Sequence, residues 1–158
     1  MKELILVAFY WTHLVATVIW IGGIIFILFI AMPSAKQVLG VDAGRLMGEI
    51  AKRFTPLANY CILLLVISGL ALTGLSRDLS GPGASGDYRA TALILKYILV
   101  SGMIIVHFYR GLALAPRIIR TTSDIEKTAL QKLSVNLVRV NFGLGLLVLL
   151  FSGIAHIF

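Results

Sequence analysis

Cysteine is nearly absent from this 158-residue chain; Cys61 stands alone. A single thiol excludes any intramolecular disulfide and says nothing of the redox compartment. Charge is scarce as well. Charged residues make up 13% of the chain, where a soluble domain carries about a quarter. Only seven residues are acidic, and none lies inside a long apolar run. That argues against a proton-coupled carrier built on a buried carboxylate. The sequence holds no phosphate-binding loop, no dinucleotide fingerprint and no nucleophile elbow. It shows no internal repeat, no low-complexity tract and no strict alternation of the kind a barrel strand needs.

What remains is apolar. Hydrophobic residues account for 59% of the chain, and the mean hydropathy is +0.97. The residues come in four long runs: Leu4 to Met32, Leu57 to Leu75, Ala92 to Ala115 and Val140 to Phe158. A helix needs roughly 20 residues to cross about 30 Å of hydrocarbon. Backbone groups in lipid must be satisfied within the segment, so such runs are helices. The first run has an apolar core about twice the length of a signal-peptide h-region, with no small-x-small cleavage site after it. It therefore reads as a helix. The expectation is an all-α integral membrane protein, a single four-helix bundle over residues 1–158. Its helices fall at about 4–32, 54–76, 91–116 and 124–158.

The formal net charge is +7, but the basic residues flank the apolar runs, so nucleic acid is not the expected partner. With four spans, one side holds Lys36, Arg45, Lys52, Arg53, Arg110, Arg117, Arg120, Lys127, Lys132 and Arg139. The other holds Lys2, Arg77, Arg89 and Lys96. Ten against four is a positive-inside bias. It places both termini on the non-cytoplasmic side of the inner (plasma) membrane. Pro33 reads as the end of the first helix. Asp42 reads as the cap of a short amphipathic segment carrying Leu46, Ile50 and Phe54. Gly81-Pro82-Gly83 and Gly86 mark a turn-rich outer loop. Ser123 and Glu126 fit a capping box, which starts the last helix near Asp124.

Titratable groups inside a span are costly and so are functional candidates. Four stand out: His13, Lys96, His107 and His156, which include all three histidines. At about 1.5 Å per residue, His13, Lys96 and His156 lie roughly 28, 31 and 25 Å from the cytoplasmic edge, and His107 about 15 Å. Neutral imidazole ligates haem iron and copper, and two histidines at one depth on facing helices can clamp a haem in a bundle. His13 and His156 meet the depth condition; His107 offers a second centre or a partner for His13. Beside Trp20, Gly22 and Gly23 leave room for a flat cofactor or for close helix packing. Met103 lies one turn before His107 on the same face, as a soft copper donor or as core. Lys96 equally suits snorkelling to the outer surface, and Tyr10 and Trp11 near His13 an aromatic belt.

These residues form a familiar pattern. His13, Trp20, Gly22 and Gly23 lie on the first helix. Arg53-Phe54-Thr55-Pro56-Leu57-Ala58 opens the second, which later carries Ser68-Gly69. Arg139, Asn141, Gly143, Gly145 and Val148 lie on the fourth. The pattern resembles the copper-resistance protein D (CopD) family of membrane domains over nearly the whole chain. Lys96, followed eleven residues later by His107, is similar to HemJ-type protoporphyrinogen oxidases. The first resemblance implies copper handling, with uptake into the cytoplasm. The second implies b-type haem and a porphyrinogen substrate, with His13 and Lys96 in the site. In place of the HemJ Asn-Glu-x-Pro element stands Asn141-Phe142-Gly143-Leu144.

The leading expectation is a redox protein that binds haem b through His13 and either His107 or His156. It would pass electrons within the bilayer to a partner protein or a quinone. The alternative is a copper transport or resistance protein using His13, Met103 and His107. A further alternative is a porphyrinogen oxidase with Lys96 steering substrate carboxylates. Whether the chain is an enzyme stays open, and a homo-oligomer is compatible with every one of these readings.

Overall fold

In the computed structural model the backbone is described for residues 1–80 and 87–157, and side chains for 1–74 and 91–154. The expected turn-rich loop at 81–86 and the side chain of His156 lie outside the described residues. The described chain is all-α. It divides into two compact units, residues 1–84 and 85–158.

The first unit opens with α1 (Lys2–Phe26), which passes into a π-helical segment at Ile27–Ala31 and then α2 (Met32–Leu39). A 3-10 turn, Gly40–Asp42, leads into α3 (Ala43–Ser80). Gly40 has φ +51° and ψ −112°, a conformation that a Cβ would strain. There the chain doubles back, and α1 packs along α3. Two contacts give the direction. His13 meets Ser68, and Gly23 meets Phe54. Advancing along α1 means retreating along α3, so the two helices are antiparallel.

The second unit is built alike. Helix α4 (Asp87–Phe108) passes into a π-helical segment, Tyr109–Leu114, then α5 (Ala115–Arg120). A short connection at 121–123 returns the chain as α6 (Asp124–Ile157), which packs along α4. A Cβ on Gly102 would stand 3.8 Å from Leu144 Cδ1, which sets the level of the two helices.

Both π segments precede a proline by two residues: Ala31-Met32-Pro33 and Leu114-Ala115-Pro116. Proline lacks an N–H and its ring meets the carbonyl four residues back. A locally widened turn relieves that collision. Pro33 therefore does not end the first helix, as the sequence suggested. It sits at the start of α2 and the helical path continues to Leu39. Similarly, the amphipathic stretch of Leu46, Ile50 and Phe54 is the opening of α3, which runs unbroken through Pro56. Asp42 lies in the 3-10 turn just before it. At α6, Glu126 stands in the first turn, but its carboxylate accepts from Arg117 Nη2 at 3.4 Å rather than closing a capping box.

Among the described residues, three helical stretches are long and apolar enough to cross a membrane: Lys2–Gly74, Thr91–Arg120 and Asp124–Ile154. Their outer surfaces are apolar; Leu4, Val18, Leu63, Ile98, Ile105 and Leu150 are all exposed. That is the surface of a protein whose solvent is hydrocarbon. Hydroxyls along the helices bond backward to their own backbone, as Thr12 to Ala8 O, Ser101 to Tyr97 O and Ser152 to Val148 O. The hydrogens of these hydroxyls are thereby kept from lipid.

The close approach at Gly23 yields a test. A Cβ there would penetrate the Phe54 ring. Gly23→Ala should destabilise the detergent-solubilised protein by about 1–3 kcal/mol, read as a lowered thermal midpoint. Adding Phe54→Leu should recover most of the loss.

Candidate functional site

In the first unit, His13 is half-buried on α1. Its Nδ1 lies 2.8 Å from Ser68 Oγ on α3. The ring rests over Gly69, where a Cβ would come within 3.4 Å of His13 Cε1. Thr17 donates to the His13 carbonyl at 2.8 Å. Ser68 is almost wholly buried, and Cys61 is buried seven residues before it on the same face of α3. Trp20 is buried in this unit. Gly22 is exposed with open space beside it, whereas the room at Gly23 is taken by the Phe54 ring.

In the second unit, Met103 and His107 are buried, at 1% and 5% exposure. They lie four residues apart on α4, hence on one stripe. Lys96, half-buried, is seven residues before Met103 and continues that stripe toward the start of α4. Phe108 braces the imidazole edge-on, with ring centroids 5.5 Å apart. Arg110 follows in the π segment, half-buried.

Across from them on α6 is Asn141, 5% exposed. Gly102 opposite Leu144 places Asn141 at a height between Met103 and His107. At about 100° per residue, Met103 and His107 sit round one side of α4 from Gly102. Asn141 and Gly145 sit round the same side of the antiparallel α6. The helical phase thus puts a thioether, an imidazole and a carboxamide toward the same flank, each of them buried. Asn141 Oδ1 has no hydrogen-bond partner among the described residues. An unpaired buried carbonyl costs about 1–3 kcal/mol.

Among the described residues, no three of His, Cys, Asp and Glu come together as a metal cluster. A closed tetrahedral site of such ligands is therefore not formed there. The donors that are present, imidazole and thioether, occur singly or in pairs, which suits a soft ion of low coordination number. Sequence reasoning named His13, Met103 and His107. Ser68 and Asn141 stand outside that set. The signals for these two are a hydroxyl and a carboxamide in otherwise apolar helices.

A family model described as Copper resistance protein D matches residues 48–155, about two thirds of the chain. The matched stretch holds Ser68, Lys96, Met103, His107 and Asn141. His13, Trp20, Gly22 and Gly23 precede it. No curated protein and no solved structure matches the chain.

The unpaired carbonyl of Asn141 has a consequence for stability. Asn141→Leu replaces it with an apolar side chain of the same branching. The thermal midpoint in detergent should be unchanged or raised, while any function that uses the carboxamide is lost.

Proposed function

The chain belongs to the copper resistance protein D family, and we propose that it binds copper(I) within the membrane and passes it across. The observation that carries this reading is the buried Met103–His107 pair inside the matched residues. Copper(I) is soft and accepts thioether and imidazole ligands. Two such donors one turn apart hold it without the third and fourth ligands that would trap it. A transported ion must be bound well enough to enter and weakly enough to leave. His13, on the first unit, supplies a further imidazole.

In this reading α1, α3, α4 and α6 each cross the cell inner membrane, with both termini outside. The antiparallel pairing within each unit supports it, as does the excess of basic residues on the side where each unit doubles back. The haem expectation draws no support from the family, whose description names copper. The copper alternative is the better supported of the two.

Purified protein in liposomes loaded with a copper(I)-responsive dye tests this reading. Wild type should carry copper(I) inward, and Met103→Leu and His107→Ala should each lower the initial rate at least ten-fold. An optical spectrum of the same preparation, made with ample haem, should show no Soret band. A Soret band with sharp reduced α and β bands, weakened in His13→Ala, would overturn the copper reading in favour of haem.

A further inference from the structure

We propose that Ser68 is a positioning residue for His13, fixing the imidazole in the tautomer that carries its proton on Nδ1 and its lone pair on Nε2. The assignment of a metal to His13 rests on the copper reading above; the tautomer does not.

Three contacts meet at Ser68 Oγ. It lies 2.5 Å from Leu64 O, 3.4 Å from Leu65 O and 2.8 Å from His13 Nδ1. A hydroxyl has one proton and accepts through its lone pairs. A carbonyl only accepts, so two oxygens 2.5 Å apart are held together only if the Ser68 proton lies between them. The proton is therefore committed to Leu64 O. Ser68 Oγ must then accept from His13, and Nδ1 must be the donor. A neutral imidazole with its proton on Nδ1 has its lone pair on Nε2.

The surroundings keep this arrangement in place. Ser68 is 1% exposed, so water does not compete for its hydroxyl. Gly69 lies under the ring; a Cβ there would meet Cε1 at 3.4 Å, an ordinary van der Waals contact. Thr17 ties the His13 carbonyl into α1. Histidine ligands are commonly oriented by a hydrogen bond from the nitrogen that does not bind metal. Here a serine relays that bond to a helix carbonyl in place of a carboxylate, in apolar runs that contain no acidic residue. The relay adds no charge, so it polarises the ring less than an aspartate would and holds the metal less tightly. That suits a site from which the ion must leave.

The test is nitrogen-15 NMR of histidine-labelled full-length protein in nanodiscs, with His13→Ala identifying the His13 signals. Wild type should show a protonated Nδ1 and an unprotonated Nε2 at His13. Ser68→Ala should give mixed tautomers and weaken copper(I) binding by about 10- to 100-fold. Ser68→Thr, which keeps the hydroxyl, should restore both. A wild-type spectrum with the proton on Nε2, or a Ser68→Ala protein with unaltered tautomer and copper affinity, would overturn the proposal. If the tautomer behaves as expected but His13→Ala leaves copper(I) binding unchanged, the relay stands and the copper role of His13 falls.

Discussion

Every feature of this chain answers to one constraint: a backbone in hydrocarbon has no water to bond, so each N–H and C=O must find its partner within the helix. The constraint explains why helical structure persists where a soluble protein would break. Pro33 and Pro116 would end or sharply kink a water-exposed helix. Here each is preceded by a π-helical turn, and the chain stays helical on both sides. Pro56 is carried inside a 38-residue helix for the same reason. Serine and threonine hydroxyls fold back on carbonyls one turn earlier, because a donor left pointing at lipid is costly.

Against that background the polar groups that do not serve the helices acquire meaning. His13 is tied to Ser68; His107 and Met103 are buried together on one stripe; Asn141 keeps a carbonyl without a partner among the described residues. Each is a departure from the cheapest way to fill a membrane helix, which is leucine or isoleucine. The two units reach the same construction with different residues. Each is a long apolar helix, a widened turn, a proline, a short helix and a long returning helix. The imidazole of the first sits well before its π segment, whereas that of the second sits almost on it.

Much of this was legible in the residues, and the limits have physical causes. Apolar runs longer than a bilayer is thick announce a membrane protein, because no other environment tolerates them. Met103 and His107 are one turn apart, and local spacing fixes their shared face. Pro33 misled, because proline ends helices in water and its accommodation by a π turn leaves no local mark. Gly23 was ambiguous between room for a cofactor and room for a neighbour, and the Phe54 ring that fills it comes from 31 residues away. Ser68 was out of reach as a partner of His13 for the same reason: the two are 55 positions apart. Pairings between helices depend on register, and register is a property of the packed hairpin.

The π turns carry an evolutionary consequence. Losing or gaining one residue in a membrane helix rotates everything beyond it by about 100°, turning lipid-facing side chains inward. A π turn is such an extra residue already absorbed. Segments 27–31 and 109–114 are therefore places where relatives of this chain can differ in length by one residue and still present the same faces to lipid and to one another.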